Sequence, residues 1–340
     1  MNHSIFDGLN HEDAHEKAFP RSITIVAAIC AIVFSIVGVI GNLVTVVALL
    51  RYKKLRRQAT TAFVISLSIS DLIFSAVNLP LTASRYLNEA WVLGDSLCKI
   101  FPVFFYGNVA VSLLSMVAIT INRYVLISRS DIYPRLYTSR GITMMLIGIW
   151  VISFSLLLPP LTEVWGRLGF DEKTFSCTIL RKNDKSPKKM LFLIGFFLPC
   201  IVIIISYLCI YWKVRSSRKN LEAHTGQKQN NGFHKREDSR LTKLMLTIFL
   251  CFLLCFLPLS LVNIVDDKIR VPILHVIASI LAWASAVINP FIYAGTNRLY
   301  RDAYRQVLCP LSSLNKKTRI PNGNKPTCSH SSKISSPQNT

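Results

Sequence analysis

Seven long stretches of this chain carry no formal charge, or almost none, and no other feature limits its folding as much. Ser22 to Leu50, Ile100 to Asn122, Gly141 to Thr162, Met190 to Trp212, Leu244 to Val265 and Val271 to Asn297 hold no Asp, Glu, Lys or Arg. Ala59 to Ser84 holds one, Asp71. At a rise of about 1.5 Å per residue each is long enough, as a helix, to cross a hydrocarbon layer of roughly 30 Å. Strands would need only about ten residues and would alternate polar with apolar, which these runs do not. The prediction is an all-α membrane protein, a seven-transmembrane helix bundle.

Charge orients the bundle. The first run is too long for a signal peptide and is followed by "RYKKLRR" (Arg51 to Arg57), five basic residues without an acid. Such a cluster is retained in the cytosol. Residues 1–21 are then extracellular, the bundle spans 22–297, and the C-terminus is cytoplasmic. Lys213 to Lys243 and Arg298 to Lys333 are basic and also fall inside. The net charge of +21 over 340 residues is explained by these cytosolic segments facing anionic lipid. It does not indicate nucleic acid, because no folded soluble domain is left to carry such a partner. The 310–340 tail, rich in Ser, Lys, Asn and Pro, reads as a disordered cytoplasmic tail.

The segment Glu163 to Lys189 departs from this pattern. It is basic yet falls outside, so it is either a solvated loop or an approach surface for an anionic ligand. Of nine cysteines, Cys98 and Cys177 fall at the outer face, in an oxidising compartment, and a disulfide between them is expected. Asn2 opens an N-glycosylation sequon on the same side.

Ionisable and amide groups within a bilayer are functional candidates by default. Asp71 needs a cation or a proton. Asn108 and Ser112 share a helix face, and Asn289 precedes Pro290. They form either a hard-ligand site for a monovalent cation or interhelical hydrogen-bond glue. Pro159, Pro160, Pro199, Pro258 and Pro290 should bend the later helices and open a cavity between them.

Taken in order, Gly41-Asn42, "LSISDL" around Asp71, Cys98, "NRY" at 122–124, Trp150, Pro199 with Tyr207, "FLLCFLP" ending at Pro258 and "NPFIY" at 289–293 resemble the fingerprint of rhodopsin-like, class A, G-protein-coupled receptors. Within that class, "LCKIFPVFFYGNVAVSLLSMVAITINRY" and "FSCTILRK" are similar to the insect Trapped in endoderm and Moody subfamily, associated with cell migration, notably of germ cells, and with epithelial barriers. The resemblance implies a plasma-membrane receptor, not an enzyme, relaying an external signal to a heterotrimeric G protein, with arrestin as a further partner and no cofactor beyond an allosteric sodium ion. It assigns Asp71, Asn108, Ser112 and Asn289 to that sodium site, and Phe252, Phe256 and Pro258 to a switch on the sixth helix. Phe256 replaces the family's usual tryptophan. Asn122, Arg123, Tyr124, Tyr207 and Tyr293 are assigned to G-protein coupling, and 298–309 to a short amphipathic inner-leaflet helix with a palmitoylation site at Cys309. Asn122 stands where most members have an acid, which leaves Asp238 as the charge partner expected for Arg123.

The amine-binding aspartate of monoamine receptors is replaced by Phe105, so the ligand is expected to be a small apolar or lipid molecule. Arg85, Phe101, Phe104, Phe105, Arg181 and Trp283 are its candidate contacts. Retinal is excluded, since Val271 to Asn297 has no lysine. The alternative function is a membrane transporter or channel with a midplane cation site. It would want internal repeats or several buried ionisable groups along a pathway; one buried acid and no repeat are found.

Overall fold

The computed structural model describes residues 20–183, 187–224, 232–266 and 270–308, with the side chains of 217–224 and 232–239 outside the description. The expectations for Asn2, Cys309, the side chain of Asp238 and the 310–340 tail therefore lie outside the described residues. Among the described residues, seven helices are long and apolar enough to cross a membrane: α1 (Arg21–Arg51), α2 (Ala59–Asn88), α3 (Asp95–Ser128), α4 (Ser139–Leu161), α5 (Lys188–Ser216), α6 (Arg240–Val265) and α7 (Pro272–Thr296). A short helix, α8 (Arg298–Leu308), follows. Helices such as α3 and α5 outrun the uncharged stretches because their ends can carry charge where side chains leave the hydrocarbon.

Lipid tails are as apolar as leucine, so polar contacts and close packing hold the helices together. Asn42 on α1 donates to the Ala286 carbonyl of α7 at 2.9 Å. Ser70 on α2 donates to the Asn108 carbonyl of α3 at 2.8 Å, and Trp150 on α4 to Ser66 on α2 at 3.1 Å. Each such bond contributes about 0.6 kcal/mol. Close packing shows at Gly107 on α3, where an added Cβ would come within 2.6 Å of the Phe154 ring on α4.

Prolines shape the helices in two ways. A proline lacks its N–H and clashes with the carbonyl four residues earlier. The π-helical turns Phe74–Asn78 and Leu193–Phe197 each contain that earlier residue, Ala76 before Pro80 and Gly195 before Pro199. Pro258 and Pro290 lie inside continuous helices. Just before Pro159 and Pro160 the helix α4 is interrupted. Its regular turns stop at Ser155 and resume for one turn at Leu158–Leu161.

The basic loop is not irregular. It forms a hairpin of β1 (Arg167–Asp171) and β2 (Ser176–Leu180), paired antiparallel with Phe170 opposite Cys177. A disulfide joins Cys177 of β2 to Cys98 at the start of α3. The hairpin thus covers one end of the bundle, and α8 lies at the other. There Asn297 caps α8 by accepting the Leu299 amide proton at 2.9 Å. The Tyr300 ring stacks on Tyr293 of α7 at 4.9 Å, and the hydroxyls of Tyr304 and Thr45 are 2.7 Å apart. These contacts seat the apolar face of the amphipathic helix against α7 and α1.

Candidate functional site

Three polar or aromatic groups lie along the bundle axis. At the hairpin end a cleft of about 740 Å³, counting its open mouth, is lined by α2, α3, β2, α5, α6 and α7. Arg85, Phe101, Phe105 and Trp283 line it, as expected. Phe104 and Arg181 do not. Phe104, rotated about 100° from Phe105 around α3, packs edge-on against Phe154 of α4 and is over a third exposed. Arg181 follows the end of β2 and is exposed, away from the cleft.

Arg85 is buried, with its guanidinium 4.2 Å from the centre of the Tyr86 ring. It donates through Nη1 to the Thr174 carbonyl in the hairpin turn at 2.7 Å. Tyr106 and Thr178 exchange a hydroxyl contact at 3.1 Å. Lys188, Asn263 and His275 also line the cleft and were not among the expected ligand contacts. His275 Nε2 is 3.3 Å from Asp266 Oδ2 at the end of α6. The backbone amides of Arg270 and Val271, then His275, hold the Asp266 carboxyl below its ordinary range.

In mid-bundle, Asp71 is buried. Its two oxygens accept from Ser112 at 3.0 Å and from Asn289 at 2.8 Å. Ser112, Asn108 and Asp71 line a small cavity together with Phe252. The Asn108 amide nitrogen is buried without a partner, and every hydrogen-bond donor described on Asp71 is neutral. Just toward the hairpin, Phe252 and Phe256 of α6 stack at 5.5 Å and 8°, with Phe196 of α5 packed 5.4 Å from Phe256. Phe252 and Phe256, expected from the resemblance to form a switch, thus have an α5 partner that the α6 motif alone does not reveal.

At the α8 end, Asn122 and Arg123 are both buried. Thr60 of α2 donates to Asn122 Oδ1 at 2.7 Å and accepts from Arg123 Nη2 at 2.6 Å. Asn122 Nδ2 donates to the Tyr133 hydroxyl at 3.2 Å, in the one-turn helix after α3. Tyr124 is half-buried. Tyr207 of α5 and Tyr300 of α8 are near enough for the Arg123 charge to act on their hydroxyls. Tyr293 is fully buried beneath Tyr300.

Residues 41–293 match the family described as "7 transmembrane receptor (rhodopsin family)". The chain belongs to the rhodopsin family of seven-transmembrane receptors. It is 53% identical over 317 residues to Protein trapped in endoderm-1 of Drosophila melanogaster, covering 88% of this chain and 81% of that one. It is 34% identical over 354 residues to the G-protein coupled receptor moody of the same species, covering 87% of this chain and 53% of that longer one. The crystal structure of squid rhodopsin superposes with a TM-score of 0.77 at 24% identity, covering 95% of this receptor and 99% of that chain, and so shares the fold. The protein is accordingly a G-protein-coupled receptor and not an enzyme, and the transporter or channel alternative is set aside.

Proposed function

We propose that this receptor lies in the plasma membrane with the hairpin outside and α8 inside, and that an external, largely apolar ligand in the hairpin-end cleft releases Arg123 toward a heterotrimeric G protein. The observation that carries the reading is the placement of Arg123. It is a guanidinium buried at the end of the bundle opposite the ligand cleft and restrained through the hydroxyl of Thr60. A restraint on this guanidinium can be outweighed by a ligand that binds the released state more tightly, which is all that population shift requires. The orientation rests on the basic run Arg51 to Arg57 at the α8 end and on the disulfide at the other.

Between cleft and coupling end, Asp71, Asn108, Ser112 and Asn289 fit a sodium ion. A buried carboxylate among neutral donors lacks a balancing positive charge. Bound there, sodium would supply that charge and favour the resting arrangement. Arrestin is proposed as a second partner of the α8 end, and guidance of migrating cells as the setting, following the resemblance to the Trapped in endoderm relatives.

The test is direct. The full chain, reconstituted in lipid nanodiscs and presented with each class of heterotrimeric G protein, should accelerate nucleotide exchange on at least one. Failure with all of them contradicts the proposal.

A further inference from the structure

We infer that the cleft takes a single-chain anionic amphiphile, with its head group on Arg85 and its acyl chain running past Tyr106 and Phe192 into a second, apolar cavity that opens toward the bilayer between α4 and α5. The inference rests on the reading of the protein as a ligand-operated receptor and specifies the ligand.

The head group follows from charge and unmet hydrogen bonding. Arg85, Lys188 and His275 line the cleft, and no carboxylate lines it among the described residues. Asp266 is turned to His275 and the backbone amides beside it. The Arg85 guanidinium is fixed between the Tyr86 ring and the Thr174 carbonyl, yet its Nε–H is buried without a partner. A buried charged donor without an acceptor is costly. A carboxylate or phosphate supplies both the opposite charge and the paired acceptors that a planar guanidinium favours.

The chain follows from the second cavity. It has a volume of about 500 Å³, counting its mouth, and is lined by Val109 and Ala110 of α3, by Leu156 and Leu157 of α4, and by Leu191 and Phe196 of α5 among others. It shares Tyr106, Phe192 and Lys188 with the cleft, so the two adjoin at those side chains. The Tyr106 and Phe192 rings meet edge-on at 6.3 Å and form the sill between them. A Cβ added at Gly195, which lines the second cavity, would meet nothing within 4 Å. The flanking surfaces are apolar and exposed, with Leu158 and Leu161 on α4 and Leu193 and Ile194 on α5. That is a rim suited to lipid, and it gives an acyl chain a lateral path from the membrane. The far end of the cavity reaches Phe256, so chain length would be read at the α6 switch.

The test uses the full-length receptor in nanodiscs, with oleate, oleoyl lysophosphatidate, octanoate and oleyl alcohol as probes. Direct binding is followed by displacement of a photoreactive fatty acid, and signalling by G-protein nucleotide exchange. One or both oleoyl anions should bind at least about tenfold more tightly than octanoate and than oleyl alcohol, the stronger of the two identifying the head as carboxylate or phosphate. Arg85→Gln should remove the advantage over the alcohol. Gly195→Trp should remove the advantage over octanoate, and Ala110→Phe, which fills the same cavity from α3, serves if the tryptophan variant does not reach the membrane. Equal binding of long and short chains, unchanged selectivity in the cavity-filling variants, or no saturable binding of any anion overturns the inference. If binding fails while nucleotide exchange still depends on Arg123, the receptor reading stands and only the ligand assignment falls. If exchange is also indifferent to Arg123, the receptor reading falls too.

Discussion

Asn122 and Arg123 meet on one hydroxyl: Thr60 gives its proton to the Asn122 carbonyl oxygen at 2.7 Å and receives one from the Arg123 guanidinium at 2.6 Å. A threonine on α2 thereby couples the two residues without any charge on Asn122. An aspartate in place of Asn122 could accept from the same threonine and also attract Arg123. The amide does only the first, and it spends its own proton on Tyr133. Thr60 and Asn122 thus form a relay of neutral groups beside the buried Arg123 guanidinium.

The relay can be weakened or strengthened by single substitutions. A hydrogen bond from a charged donor contributes about 1.5–3 kcal/mol net, and the part lost on activation sets the balance of states. Thr60→Val, which keeps the shape and removes the hydroxyl, should raise ligand-free nucleotide exchange several-fold. Asn122→Asp should lower it. Exchange rates normalised to surface receptor measure both, and no change in either variant would mean that the relay is packing and not restraint.

Asp71→Asn replaces the buried carboxylate with an isosteric amide. Agonist affinity or basal exchange of the parent should shift when sodium is exchanged for a bulky organic cation, and the variant should show no such shift. Equal responses in the two would leave Ser112 and Asn289 as hydrogen-bond glue between helices.

The Cys98–Cys177 disulfide closes a sequence separation of 79 residues and holds β2 over the cleft. Replacing both cysteines with serine should cost about 2–5 kcal/mol of stability. Surface expression should drop, and ligand affinity should be lost even in the fraction that matures. Parent-like affinity in the serine variant would show that the hairpin does not need its staple to shape the site.

Gly107 and Phe154 make a size prediction. The Cβ of any larger residue at 107 would press on the Phe154 ring at 2.6 Å. Gly107→Val should destabilise the detergent-solubilised receptor by about 1–3 kcal/mol. Adding Phe154→Ala should recover part of that loss, which thermal unfolding of the single and double variants would reveal.

The spans were legible because charge is costly in a bilayer, and the motifs at Asp71, Asn122 to Tyr124 and Asn289 to Tyr293 carried their resemblance openly. Other features needed three dimensions. Thr60 looks like any helical threonine, and its partner Asn122 is 62 residues away along the chain. Phe104 joined an aromatic stripe in sequence, yet helical rotation turns it to Phe154 and lipid. The strands at 167–180 hide in a loop whose alternation is broken by Gly169 and by the charged turn "DEK". The π-helical turns left a readable trace in Pro80 and Pro199, since each falls where a proline disturbs the preceding turn. Lys188 and His275 gave no local sign of facing the cleft, because only the fold brings the starts of α5 and α7 together.

The central claim, that Arg123 transmits the signal, is tested most directly by Arg123→Ala in the full-length receptor. The measurement is nucleotide exchange on the responsive G protein, normalised to receptor at the cell surface. The account predicts that exchange falls to the level of receptor-free membranes while surface expression stays near that of the parent. Exchange at the parental rate in that variant would contradict it.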